Sequence, residues 1–240
     1  MSCRGAAVRR LVSSLILVAA PAAASCDAHR PGGGPATIAP DPAASAATNA
    51  TAVAAQASAF RDGAGVPRDE GRALALFGEA CEGGVAKACG DLGTMYADGI
   101  GVARDPERAA PLFQTACDGA DLAACARLGD LARSGVGVTR DEERAVQLLT
   151  RACDGGFARA CTKKGNMVQT GAGAVKDASL AASLFQRACD GGDAEGCVEL
   201  GRLYATGRGV RADRDRALAL YKKACDAGTS IGCDALKAMR

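Results

Sequence analysis

Apolar and polar positions alternate along most of this chain with the spacing of amphipathic helices. Within residues 125–161, Leu128 and Leu131 precede Gly135, and Leu148 and Ala152 follow a polar turn. Apolar residues three or four positions apart share one face of an α-helix. The pattern therefore predicts two amphipathic helices that are separated by a short glycine-containing turn.

This helix pair recurs with a fixed period. Cys81 and Cys117 are 36 positions apart (117 − 81), and the same interval separates the corresponding residues of later copies. When the copies are aligned by this period, residues at the same position form a column. Three columns of the second helix are apolar or aromatic in every copy: Ala73, Ala109, Ala145, Ala181 and Ala217; Leu76, Leu112, Leu148, Leu184 and Leu220; Phe77, Phe113, Leu149, Phe185 and Tyr221. The period predicts an all-α fold, an α/α solenoid of stacked units near 53–88, 89–124, 125–160, 161–196 and 197–232, with a closing helix at 233–240.

Two further columns contain aspartate and glycine. Aspartates that can cap free amide groups stand before the second helix: Asp105, Asp141, Asp177 and Asp213. Glycines lie within the first helix: Gly93, Gly129, Gly165 and Gly201. Because glycine destabilises a helix interior, we expect a neighbouring backbone to approach closely at those positions.

Residues 1–25 have the layout of a secretion signal. Arg4, Arg9 and Arg10 precede the apolar stretch "LVSSLILVAA", which is too short to span a bilayer comfortably, and small residues follow it up to Cys26. A small-residue run that ends at a cysteine resembles the lipobox of bacterial lipoproteins. We therefore expect an exported protein of the cell envelope, periplasmic or membrane-anchored, with a lipid on Cys26; ordinary cleavage after a small residue is the alternative.

The segment from residue 26 to residue 50 differs in composition from the repeats. It contains Ala, Pro, Gly, Ser and Thr with almost no large apolar side chain. Such a segment cannot bury enough apolar surface to form a core. We expect a flexible tether between Cys26 and the solenoid, which would begin near Val53.

The cysteines fall into pairs of one spacing. Cys3 leaves with the leader and Cys26 is the expected lipid site, and the other ten form five pairs that are eight positions apart: Cys81 and Cys89, Cys117 and Cys125, Cys153 and Cys161, Cys189 and Cys197, Cys225 and Cys233. In an exported protein, five cysteine pairs of equal, short spacing predict five local disulfides. Zinc is the weaker interpretation, since structural zinc sites bring ligands in closer pairs and no histidine lies nearby. We expect no metal and no other cofactor.

The repeated layout resembles a known family. Its elements are a Leu-Gly pair in the first helix, a Gly-x-Gly-Val turn, an aspartate, an Arg-Ala-Leu run in the second helix and the cysteine pair. From about Val53 to Arg240 the chain resembles Sel1-like repeats, which are similar to tetratricopeptide repeats, and in particular the secreted Helicobacter cysteine-rich proteins. The resemblance implies that the first helices line a concave side. The fourth unit departs most, because Lys164 stands at a leucine position and "GAGAV" delays the valine by one residue.

A catalytic set is not evident in the sequence. The single histidine, His29, lies in the expected tether, so no imidazole is placed to activate a nucleophile in the repeats. Proteins of the resembled subclass have been described as penicillin-binding proteins or weak β-lactamases, which is the alternative function. Serine enzymes of that type use Ser-x-x-Lys, and no serine of this chain has a lysine three positions later. We therefore expect a protein that catalyses nothing.

One face of the first helices changes its chemistry from copy to copy. Its residues follow helical spacing within each copy: Asp91, Thr94, Arg127, Asp130, Lys163, Asn166, Glu199 and Arg202. Packing columns stay constant while this face varies, which predicts a binding site for a protein or peptide; a merely solvated surface is the alternative.

The charge balance bears on the class of partner. Removal of the leader leaves 26 basic residues (29 − 3) against 27 acidic ones. Without a basic excess the chain is not expected to bind nucleic acid. The sequence thus predicts a monomeric scaffold or adaptor that contacts a membrane only through a lipid on Cys26.

Overall fold

The computed structural model describes residues 42–239, which belong to one compact unit. The predicted signal segment and Cys26 lie outside the described residues. Eleven helices and no strand occur in the described part: α1 (Pro42–Asp62), α2 (Glu70–Glu82), α3 (Ala86–Asp98), α4 (Pro106–Asp118), α5 (Leu122–Ser134), α6 (Glu142–Asp154), α7 (Ala158–Thr170), α8 (Ala178–Asp190), α9 (Ala194–Thr206), α10 (Arg214–Asp226) and α11 (Ser230–Ala238).

The helices form five pairs and a closing helix. Odd-numbered helices up to α9 are the first helices of their pairs, even-numbered ones are the second helices, and α11 ends the array. Each helix packs against its neighbours in the chain, and α9 also contacts the first helices α7 and α11. The predicted all-α solenoid of helix pairs is confirmed.

Helix α1 begins earlier than the composition indicated. It starts at Pro42, so the segment expected to be a tether is helical from that residue onward. Alanine has the highest helix propensity, and Ala50 is only 8% exposed. A Cβ built on Gly83, after α2, would lie 2.6 Å from the Cβ of Ala50. Small side chains on both sides therefore let α1 pack against the turn that follows α2.

The core is built on the aromatic column of the second helices. Its members are between 0% and 4% exposed: Phe77, Phe113, Leu149, Phe185 and Tyr221. A Cβ built on Gly165 would lie 2.5 Å from the ring of Phe185, and one on Gly93 would lie 2.9 Å from the ring of Phe113. Three of the four first-helix glycines, Gly93, Gly165 and Gly201, are thus required chiefly by a ring that presses on the helix, whereas Gly129 lies against the side chain of Leu149.

The aspartates cap the second helices as predicted. Asp105 and Asp141 each accept a hydrogen bond from the backbone amide three residues ahead, at 3.0 and 2.9 Å, and Asp177 and Asp213 make equivalent bonds. Asp69 caps α2 in the same manner. The sequence analysis missed Asp69, although the 36-residue register points to it (105 − 36).

The five predicted local disulfides are present. Each joins the end of a second helix to the start of the next first helix, with Cα–Cα distances between 4.5 and 4.7 Å. All six cysteines of the three central bridges are buried, whereas Cys81, Cys225 and Cys233 are half-buried. Successive helix pairs are therefore covalently joined along the whole array.

Candidate binding face

The structure places the eight predicted binding residues on four consecutive first helices. Arg127 and Arg202 are exposed and the other six are half-buried. We refer to this surface as the first-helix face: Asp91 and Thr94 on α3, Arg127 and Asp130 on α5, Lys163 and Asn166 on α7, and Glu199 and Arg202 on α9.

Ion pairs connect the first-helix face across successive helices. Arg127 donates two hydrogen bonds to Asp98, at 3.0 and 3.2 Å, which is the geometry of a guanidinium fork on a carboxylate. Three such pairs link neighbouring first helices: Arg61 with Asp91, Asp98 with Arg127, and Asp130 with Lys163. Exposed pairs contribute about 0–1 kcal/mol each, so their main effect is to orient and neutralise these side chains. The sequence analysis found the face but not this pairing.

The series of pairs stops at α7. Asn166 occupies the position that Asp130 holds one copy earlier, and no ion pair joins α7 to α9 in residues 42–239. On α9, Glu199 instead accepts a hydrogen bond from Arg202 of the same helix, at 2.9 Å. The side chain of Glu199 is 15% exposed, and this burial raises its pKa above the usual value.

A groove of about 550 Å³ opens on the first-helix face at α5 and α7. It brings together Asp130, Lys163 and Asn166 of the predicted residues, and it also includes Arg133 and Arg159. Sequence reasoning missed these two arginines because their columns were not among those compared.

A second, smaller pocket of about 60 Å³ brings together Asp91, Thr94 and Arg127 at α3 and α5. Glu199 and Arg202 line neither of these two pockets. The structure therefore divides the predicted face into a central groove, a small pocket and a separate pair on α9.

Cations on the second helices also make contacts within the array. Arg187 of α8 donates to the backbone carbonyl of Cys153 at 3.1 Å, and Lys223 of α10 donates to that of Cys189 at 2.9 Å. These carbonyls lie at the C-terminal ends of α6 and α8, where a positive charge is favourable. A basic residue recurs at this position of the sequence, at Arg151, Arg187 and Lys223.

Four serine hydroxyls donate to backbone carbonyls: those of Ser58, Ser134, Ser179 and Ser183. Within residues 42–239 we find no cluster of three metal-ligating side chains. No helix of that range has both the length and the apolar character needed to cross a membrane.

The repeat profile decides the family. Five consecutive segments match the family described as Sel1 repeat: residues 51–85, 86–121, 122–157, 158–193 and 194–229. The chain belongs to the Sel1 repeat family. The family that the glycine, aspartate and cysteine columns predicted is confirmed.

Solved Sel1 repeat structures are similar to this chain. A Sel1 repeat protein from Oxalobacter formigenes is 29% identical, with a TM-score of 0.76 over 80% of this chain and 78% of that one. Escherichia coli c5321, a protective antigen present in uropathogenic strains, is 26% identical, with a TM-score of 0.73 over 80% of this chain but 41% of its own. Helicobacter pylori cysteine rich protein B is 25% identical, with a TM-score of 0.43 over 51% of this chain and 92% of its own. No curated protein matches the chain.

The family and the disulfides indicate a typical role and a cellular compartment. Sel1 repeats form solenoids that are typical of protein-binding scaffolds and are generally non-catalytic. Five disulfides indicate an oxidising, extracytoplasmic compartment, because the cytosol keeps thiols reduced.

Proposed function

We propose that this Sel1 repeat protein is a non-catalytic scaffold or adaptor of the bacterial cell envelope that binds a protein or peptide on its first-helix face. One observation carries the proposal. The second helices keep the same buried column in all copies, whereas the first-helix face changes between acidic, basic and neutral residues. A face that lies outside the buried column and differs at each copy suits a partner whose own surface varies along its length.

The two surfaces of the array support this choice of face. Charged side chains join neighbouring repeats on both surfaces, through Arg187 and Lys223 on the second helices and through the ion pairs of the first-helix face. Asn166 on the first-helix face lines the groove and makes no side-chain hydrogen bond within the described residues. Polar groups that have no internal partner are available to another molecule.

Photo-crosslinking tests this face directly. Arg127 and Asp130 are already paired, so reversing their charges would also break the ion pairs between helices. A photoreactive residue at Thr94 or Asn166 avoids that problem, and the same group at exposed Gln147 on α6 is the matched control. We expect one protein adduct from both first-helix positions and none from Gln147. Adducts from Gln147 alone would overturn the proposal.

Export and anchoring complete the proposed function. The mature protein is a monomer that starts at Cys26, carries a lipid there and holds the repeats away from the membrane on the segment before α1. Mass spectrometry of the intact mature chain tests this arrangement. A mass that includes acyl chains on a chain starting at residue 26 supports the anchor, whereas the unmodified mass of a chain cleaved at a small residue contradicts it.

A further inference from the structure

The groove at α5 and α7 has an unbalanced set of charges. Four cations and three acids line it: Arg133, Arg140, Arg159 and Lys163, and Asp130, Glu142 and Glu195. Lys163 pairs with Asp130, and Arg140 pairs with Glu142. Arg133 and Arg159 form no ion pair with any residue of the described range. The groove contains one further carboxylate, that of Glu195, which forms no ion pair in residues 42–239, so the lining charges sum to one net positive charge (4 − 3).

This positive charge is local to one part of the first-helix face. Helix α7 has the sequence ARACTKKGNMVQT, with three basic residues and no acid. The first helices on either side of α5 and α7 are more acidic, since α3 carries two aspartates and one lysine and α9 carries two glutamates and one arginine. The protein as a whole has nearly balanced charge. A basic groove between acidic helices therefore favours binding of an anionic segment at this one place along the array.

The shape of the groove also depends on the divergent fourth unit. Ala172 lines the groove at the position where Ile100 and Val136 stand in earlier copies. Its methyl group is smaller than those branched side chains, and Ala64 holds the same position in the first copy. The groove with its unpaired guanidinium groups thus adjoins the unit whose sequence departs most from the repeat.

We infer that this groove binds an acidic segment of a protein partner, whose carboxylates are seated on Arg133 and Arg159. The inference rests on the proposed function, since the groove is part of the first-helix face. A guanidinium presents a planar fork of donors that matches a carboxylate, and both arginines are exposed and free to turn toward one. Lys163 adds a third cation when an incoming carboxylate competes with Asp130.

Binding is measured with the full oxidised chain and a short labelled peptide in which glutamate alternates with alanine, by fluorescence anisotropy. The matching peptide with glutamine in place of glutamate is the ligand control. The double variant Arg133→Glu with Arg159→Glu is expected to weaken binding at least about tenfold. The matched control, Arg208→Glu with Arg211→Glu, changes the charge equally in an exposed turn outside the groove and is expected to weaken binding less than about twofold.

A gain-of-binding variant separates this inference from simple loss of folding. Asp130→Asn frees Lys163 and is expected to tighten binding of the glutamate peptide severalfold. Asp98→Asn removes the same charge from the same face outside the groove and is expected to leave affinity nearly unchanged. Equal binding of the glutamate and glutamine peptides, or of a single-stranded oligothymidine as tightly as the glutamate peptide, would overturn the inference.

Failure of this inference is distinguishable from failure of the proposed function. Crosslinking of a protein at Asn166, together with no binding of the glutamate peptide, overturns the acidic ligand and leaves the first-helix face in place. Absence of crosslinks at every first-helix position overturns the proposed function itself.

Discussion

Ala120 holds a backbone conformation that suits glycine. It lies in the turn between α4 and α5 with a φ of 67°, and among the described residues it is the only one other than glycine with positive φ. The corresponding residue is glycine in the other copies, with φ between 85° and 96°: Gly84, Gly156, Gly192 and Gly228. We therefore predict that Ala120→Gly stabilises the protein.

The magnitude follows from two opposing effects. The left-handed region costs an L-residue with a Cβ about 1–2 kcal/mol, which the substitution removes. Glycine has more conformational freedom in the unfolded chain, which lowers the free energy of unfolding by about 0.4–1 kcal/mol and offsets part of that gain. The net expected gain is about 0.5–1 kcal/mol in the free energy of unfolding.

Urea unfolding of the oxidised chain, followed by circular dichroism, measures this gain. Gly156→Ala is the reciprocal control, and it is expected to lose about the same free energy. A Cβ at Gly156 meets no atom within 4 Å, so its cost is conformational and not steric. Because repeats interact mainly with their neighbours, hydrogen exchange in α4 and α5 should show the change most clearly. If Ala120→Gly lowers the urea midpoint while Gly156→Ala leaves it unchanged, the strain argument is wrong.

Three further predictions concern the bridges, a buried acid and the contacts between repeats. Replacing both Cys153 and Cys161 by alanine removes a bridge that closes a sequence separation of 8, and loop-closure entropy predicts a loss of about 2.6 kcal/mol in the free energy of unfolding. Burial raises the pKa of Glu199, so its contribution to stability is greatest at low pH and is lost as pH rises through the folded pKa. Glu199→Gln should therefore raise the urea midpoint at pH 7, and the gain should vanish below the ordinary glutamate pKa of about 4.3. Arg187→Gln removes a half-exposed cation from the end of α6 and should cost about 0.5 kcal/mol, measured as faster hydrogen exchange in the last turn of α6.

Each of these predictions has a result that would contradict it. An unchanged urea midpoint after loss of the Cys153–Cys161 bridge would show that the ring contributes nothing to the unfolded-state entropy. A gain from Glu199→Gln of the same size at pH 3 and pH 7 would exclude ionisation as its cause. Exchange that speeds up equally in all second helices of the Arg187→Gln variant would indicate a global effect instead of a lost local contact.

Much of the fold follows from the sequence because each unit repeats the same local rules. The 36-residue period gives the number of helix pairs, the aspartates give the starts of the second helices, and the cysteine spacing gives the bridges between neighbours. These features depend on contacts within a unit or across one turn. The extent of α1 was harder to predict, because composition alone does not show that Ala50 packs against the turn at Gly83.

The binding face was likewise predictable from the sequence only in part. The sequence by itself determined which residues share the first-helix face, since helical periodicity fixes the direction of each side chain. Only the tertiary structure decided that Lys163 is paired with Asp130 while Arg133 and Arg159 remain unpaired. Whether two charges on successive helices meet depends on the rotation and distance between repeats. That geometry is set by the packing of second-helix side chains against first helices in all units together, and no single stretch of sequence contains it.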